Sequence, residues 1–232
     1  MNASNHQQAL GRRAFIAGVS AGALVLTLLG CASSPRYSLT EAIRRMLLLA
    51  SERAFARLIE PGGFWDAQVA RVGLGNLLGT RGDTVARILT SALFKDRLED
   101  AFADIAIEGS ERAAPLVADA VRVIGFDNAV ELVRGGPRAA TEFLRGEMGG
   151  RLIEEMVPEL GRAIDLAGDP LVGQLVDAIT GANVSGVAAR LAGSVNEAIW
   201  AEIGSEEAAI RADPGATRDP LLIGVFGVGA RY

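Results

Sequence analysis

Histidine and cysteine are nearly missing from this chain of 232 residues: His6 and Cys31 are the only ones. Everything after Cys31 therefore lacks both imidazole and thiol. That body cannot assemble a Ser-His-Asp or Cys-His nucleophile. It cannot build a zinc site from His and Cys, a haem held by either, or an iron–sulfur cluster. An internal disulfide is equally impossible. No cofactor is expected. Lysine is as scarce, with Lys95 the single example; arginine supplies the other basic residues, a pattern read first as genomic composition bias. No basic run occurs, and 28 acids face 23 bases for a net charge of −5. Nucleic-acid binding rests on neutralising phosphates, so this balance argues against such a partner.

What is present begins with a tripartite leader. The opening residues are polar and carry Arg12-Arg13, after which Ala14 to Leu29 are apolar or small. Those sixteen residues fall short of the roughly twenty that a membrane span needs and suit the apolar core of a cleavable signal. Leu28-Leu29-Gly30-Cys31 resembles a lipobox, in which the cysteine accepts diacylglycerol; an ordinary signal or an uncleaved anchor is the alternative. Gly11-Arg12-Arg13-Ala14-Phe15-Ile16 resembles a twin-arginine export signal, and the general secretory route stays open beside it. The expectation is a signal over 1–30, a lipid on Cys31, a tether over 31–37 and a single domain over 38–232. Losing the leader leaves 21 bases against 28 acids, a charge of −7. Ala32, not aspartate, follows the lipid site; by analogy with Gram-negative sorting this favours the inner leaflet of the outer membrane, facing the periplasm, and acyl chains hold such an anchor.

The body reads as helix throughout. Ser38-Leu39-Thr40-Glu41 has the pattern of a capping box, opening a helix whose apolar face is Leu39, Ile43, Met46, Leu47, Ala50, Ala54 and Leu58, spaced by three and four. Pro61-Gly62-Gly63 ends it. Gly73 to Gly82 reads as a linker, and Asp83 as the cap of the next helix. Further helical segments are expected at 97–107, 113–124, 128–133, 138–145, 151–166, 171–179 and 195–212. Pro158 should kink or split its segment. Gly135-Gly136-Pro137 has the composition of a helix stop followed by a start, and Asp169-Pro170 repeats that signal. Asp83 with Arg87, Glu147 with Arg151 and Glu41 with Arg45 are spaced for helical ion pairs. Strand signals are weak and no repeat is found. The fold class is therefore all-α: a compact bundle of roughly eight to ten short helices.

Two stretches carry a family resemblance. One is Gly135-Gly136-Pro137-Arg138-Ala139-Ala140-Thr141-Glu142-Phe143-Leu144-Arg145. The other runs from Ile203 to Gly227 through Glu206-Glu207, Ile210-Arg211, Asp213-Pro214, Ala216-Thr217-Arg218-Asp219, Leu221-Leu222 and Val225-Phe226-Gly227. Together they resemble the bacterial domain-of-unknown-function family 4197, over nearly the whole domain from Ser38 to Gly227. The resemblance implies a helical protein exported behind a signal and transfers no activity. Pro220 and the glycines from Gly224 onward depart from its pattern and weaken the expectation of a final helix.

Several polar groupings invite chemistry. Ser91 and Lys95 share a helical face, as a Ser-Lys dyad requires, but Asp96 and Glu99 would keep the lysine charged. Asp100, Asp104 and Glu108 could hold a hard cation, or form a solvated face balanced by Arg97 and Arg112. Glu154, Glu155 and Glu159 sit on one helix and cannot flank a glycosidic bond unaided. Gly73-Leu74-Gly75-Asn76-Leu77-Leu78-Gly79 lacks the strand that a nucleotide loop follows. The densest cluster is Glu206, Glu207, Arg211, Asp213, Thr217, Arg218 and Asp219. It reads as a recognition surface, or else as capping, with Asp213 or Thr217 at a helix start and the arginines paired with carboxylates. No metal site and no catalytic residue is expected. The leading functional expectation is a non-enzymatic, lipid-anchored envelope protein working through contact with an envelope partner. The second is a binder of lipid or another apolar molecule in a bundle pocket; a carboxylate- or metal-dependent enzyme comes last.

Overall fold

In the computed structural model, residues 35–78, 92–123, 125–166 and 184–229 are described, and every regular element among them is a helix. The compact unit begins at Leu39. The helices are α1 (Pro35–Leu58), α2 (Phe64–Val72), α3 (Leu74–Leu78), α4 (Ala92–Val123), α5 (Ala129–Arg134), α6 (Ala139–Met148), α7 (Arg151–Leu166), α8 (Val184–Ala212) and α9 (Pro220–Gly229). A 3₁₀ turn, Pro214–Thr217, joins the last two. The all-α bundle expected from the sequence is present, although three of its helices are long rather than short: 24, 32 and 29 residues for α1, α4 and α8.

Helix α8 is the axis. Apolar residues lie on several of its sides, with Val187, Leu191, Val195, Ile199, Trp200 and Ile203 all buried. A helix apolar around most of its girth belongs inside, and α3, α4, α6 and α7 pack on it, α7 most extensively. Helix α4 in turn carries α2 and α7. Small residues allow the close approaches: a Cβ on Gly109 of α4 would come within 3.0 Å of Leu160 Cδ2 on α7. Helix α1 contributes Ile43, Met46, Leu47, Ala50, Ala54 and Leu58, all fully buried, as the spacing predicted. The two tryptophans find partners: Trp65 Nε1 donates to Ser110 Oγ at 3.2 Å, and Trp200 Nε1 to Asn196 Oδ1 at 3.0 Å.

Several boundaries differ from expectation. Helix α1 starts at Pro35, a residue well suited to a first turn, so Ser38 lies inside the helix rather than at its cap. Glu41 points instead to Arg44 and Arg45, at 3.0 and 2.9 Å. Segments 97–107 and 113–124 are one helix, α4, running through Pro115. Likewise α7 runs unsplit through Pro158. Both prolines are exposed, so the carbonyls each deprives of a partner, at Glu111 and Glu154, lie on exposed residues where water can substitute. Part of the expected linker forms α3, because Leu74, Leu77 and Leu78 are buried and Arg190 of α8 donates to the carbonyls of Leu77 and Leu78 at 2.8 and 2.7 Å. Gly149, at φ 55°, ends α6 between Glu147 and Arg151, so those two share no helix. Pro220 is the first residue of α9 rather than its interruption. The expected Asp83–Arg87 pair, the 171–179 helix and Asp169-Pro170 lie outside the described residues.

Candidate functional site

The last two turns of α8 bear Glu207 and Arg211 one helical turn apart, on the same face. Helix α6 opens with Arg138 in the capping position, which offers it no side-chain acceptor. Its orphan amides are met from a distance. Glu207, fully buried, accepts from the backbone N–H of Ala140 at 3.0 Å and of Thr141 at 2.7 Å, and from the Thr141 hydroxyl at 2.6 Å. A carboxylate at a helix N-terminus is favoured by both hydrogen bonding and the helix dipole. Arg211 meets the opposite need. Its Nε donates to Glu207 at 2.8 Å, while its terminal nitrogens donate to the carbonyls of Val133 at 3.0 Å and Leu132 at 2.8 Å, at the C-terminal end of α5. Its guanidinium also lies 5.0 Å from the centre of the Phe226 ring of α9, within cation–π range. One ion pair thus ties α5, α6, α8 and α9 together.

The other members of the predicted cluster are also internal ties. Glu206 points to a different side of α8 and binds Arg57 and Arg53 of α1, the latter at 3.8 Å, beside a 2.7 Å pair between Arg57 and Glu202. Asp213 caps the 3₁₀ turn through Ala216 N–H at 3.2 Å. The Thr217 hydroxyl donates to Pro214 O at 2.7 Å and accepts from Asp219 N–H. Arg218 takes the left-handed conformation, φ 56°, that closes this turn; its exposed side chain forms no ion pair among the described residues. Asp219, rather than Thr217, caps α9, accepting from the amides of Leu221 and Leu222 at 2.8 and 3.3 Å. Its second oxygen meets Arg45 at 3.2 Å. Burial alone would raise the Asp219 carboxyl, but those two amides and the guanidinium outweigh it and hold it below the ordinary aspartate value. The Glu41 carboxyl is likewise lowered, chiefly by its hydrogen bond from Arg45.

Beside this clamp lies an open groove of about 370 Å³. One wall is the turn from Val133 to Pro137, the other is Ala208 and Ala212 of α8, and Val225 and Phe226 of α9 close the end. The charged residues lining it are Arg134 and Arg211, with no acid among them. Arg138 lies close by: a Cβ added to Gly204, one turn before Ala208, would meet its Cδ at 3.1 Å. Arg134 and Arg138 are exposed and form no ion pair among the described residues. Sequence reasoning did not single out these two arginines. The only local signal was their symmetry, Arg-Gly-Gly-Pro-Arg, with no acid in the turn to neutralise them. The role of Glu207 was equally hidden, though a helix start without Ser, Thr, Asp or Asn implies an acceptor from elsewhere.

Residues 34–227 match the family model described as "Protein of unknown function (DUF4197)". The chain belongs to this family. Both segments that carried the resemblance, from Gly135 and from Ile203, fall within the matched region of this DUF4197 protein and meet at the groove. No curated protein and no solved structure matches the chain.

The remaining candidates of the DUF4197 chain are dispersed. Lys95 pairs with Glu99 at 3.6 Å, and Ser91 lies outside the described residues. Asp100 and Asp104 are exposed, while Glu108 pairs with Arg112 at 3.2 Å. Glu159 is tied to Arg162 and to Arg112, and Glu154 and Glu155 are exposed. Among the described residues no group of three or more potential metal ligands occurs, and no helix is long and apolar enough to cross a membrane. Arg12, Arg13 and Cys31 lie outside the described residues.

Proposed function

We propose that this DUF4197 chain is a lipid-anchored envelope protein that acts by binding, and that the groove between the Gly135-Gly136-Pro137 turn, α8 and α9 is its binding face. The anchor rests on the leader and Cys31; the binding face rests on one observation. The two segments that define the resemblance converge on an open, mostly apolar cleft lined in part by Arg211, whose guanidinium is locked by Glu207, Leu132 and Val133. Pre-organised polar groups beside apolar walls are what a binding cleft requires. Acidic and hydroxyl side chains of the neighbouring cluster are occupied as caps and ion pairs, which favours binding over carboxylate chemistry. A photo-crosslinking residue at Val225, introduced in intact cells of the native host, should yield one specific adduct, while the same residue at exposed Glu155 yields none. Labelling with an alkyne fatty acid should mark the wild-type chain and not Cys31→Ser. Absence of any adduct at Val225 would remove the binding face; labelling of Cys31→Ser would remove the anchor.

A further inference from the structure

The groove's chemistry narrows what it would hold. Its walls are hydrocarbon: Val133, Pro137, Ala208, Ala212, Val225 and Phe226. Its lining side chains offer hydrogen bonds only from arginine. An extended peptide laid there would bring an amide every residue and find few partners, and each unsatisfied buried amide carries a desolvation penalty. A hydrocarbon chain has no such groups. The charged side chains lining the cleft are both arginines, Arg134 and Arg211, the second paired with Glu207 beneath it. Arg134 on the rim and Arg138 beside it form no ion pair among the described residues, in a chain whose acids outnumber its bases. Arg211 already serves Glu207 and two carbonyls, so the rim arginines are the groups free to take a ligand's charge. At about 370 Å³ the cleft is at the small end of ligand sites, roughly 300–1,000 Å³, and it is open, so it suits one chain rather than a two-chain phospholipid.

We propose that the groove binds a single long-chain carboxylate, with the hydrocarbon against α8 and α9 and the headgroup between Arg134 and Arg138. This rests on the reading of the groove as the binding face.

Titration calorimetry of the full chain carrying Cys31→Ser, which removes any acyl chain of its own, tests it with octanoate, decanoate and dodecanoate. Affinity should rise by about two- to fourfold per added methylene, the larger value being that of full burial. Arg134→Gln with Arg138→Gln should weaken dodecanoate by about tenfold, the sum of two exposed charge contacts, and leave decanol unchanged. Ala212→Trp, at an exposed position on the groove wall, should abolish dodecanoate binding without altering the melting temperature. The proposal is overturned if dodecanoate fails to bind below millimolar concentration. It is also overturned if decanol matches decanoate, if Ala212→Trp leaves binding intact, or if a peptide ending in an apolar residue with a free carboxylate displaces the fatty acid at lower concentration. A crosslinked protein at Val225 together with silent calorimetry would sink the carboxylate and spare the binding face; silence in both would sink the two together.

Discussion

Replacing Glu207 by alanine should be among the most damaging single changes in this protein. The substitution removes the acceptor for two amides at the start of α6 and for the Thr141 hydroxyl, and leaves Arg211, only 11% exposed, without its carboxylate. Loss of a helix cap typically costs about 1 kcal/mol. Removing one partner of a buried ion pair costs roughly 3–5 kcal/mol, because the other charge stays buried. The expected loss is therefore about 4–6 kcal/mol, against a total stability of roughly 5–15 kcal/mol for a typical domain. Urea unfolding followed by far-ultraviolet circular dichroism reads this directly: with a slope of about 2 kcal/mol/M, the midpoint should fall by about 2–3 M. Arg211→Met supplies the second edge of a double-mutant cycle. The double variant buries neither charge, so its loss should be smaller than the sum of the singles by about 1.5 kcal/mol or more, within the range for contacting residues. A loss below about 2 kcal/mol for Glu207→Ala, or additivity within about 0.5 kcal/mol, would refute the clamp.

Three further outcomes follow from the same geometry. The folded Asp219 and Glu41 carboxyls titrate below their ordinary values, so their stabilisation is present above the unfolded pKa and is lost as pH falls through the lower folded one; the urea midpoint should drop on acidification below about pH 4, and Asp219→Asn should flatten that fall. Gly135→Ala should destabilise by about 1–3 kcal/mol, since its Cβ would stand 2.6 Å from that of Ala139, whereas Gly136→Ala meets open space and should stay within about 0.5 kcal/mol of wild type in thermal melts. Trp65→Phe should lose about 1–3 kcal/mol, combining a lost hydrogen bond to Ser110 with a small cavity, and a loss that persists undiminished in a Ser110→Ala background would show that the bond contributes nothing.

The helical class was legible because the apolar period of α1 is a local property of the chain. The Leu39–Leu58 face could be read off residue by residue, and all but Leu39, which is partly buried, lie in the core. Proline and glycine misled where their consequences depend on surroundings. Pro158 signals a break in an isolated helix, yet on an exposed face the freed carbonyl turns to water and the helix continues, as it also does through Pro115. Leu74, Leu77 and Leu78 sit in glycine-rich sequence that reads as linker, and the donors that meet the carbonyls of Leu77 and Leu78 come from Arg190, more than a hundred residues away. The cluster from Glu206 to Asp219 was legible in composition and only partly in role. Caps bind neighbours in sequence, so Asp213 reveals itself by position, while Asp219 takes the capping place that the sequence offered to Thr217. Glu207 acts on amides 66 and 67 residues away, and no local pattern encodes that distance.

That long-range tie explains why two segments far apart in sequence behave as one surface. Helices α5 and α6 are short, 6 and 10 residues, and helices of that length are marginal without tertiary support. Each presents its needy end to the same turn: α5 its carbonyls, α6 its amides. A single i, i+4 pair on α8 answers both, Arg211 the first and Glu207 the second. The turn between them, Gly135 to Arg138, is thereby held from below by charge-assisted bonds rather than by its own side chains. Gly136 is then free of packing duty above, where it leaves the cleft open, and the flanking Arg134 and Arg138 form no ion pair among the described residues. If the clamp were instead an ordinary stabilising contact with no bearing on the cleft, conservative loosening would leave binding unchanged. Glu207→Gln keeps the size and one acceptor oxygen while weakening the tie to Arg211, so it should retain the fold, with a loss of about 2–3 kcal/mol. It should nonetheless weaken dodecanoate by severalfold, because the wall and both rim arginines ride on that turn. Unchanged dodecanoate affinity in a folded Glu207→Gln protein would separate the clamp from the groove and leave the first as architecture alone.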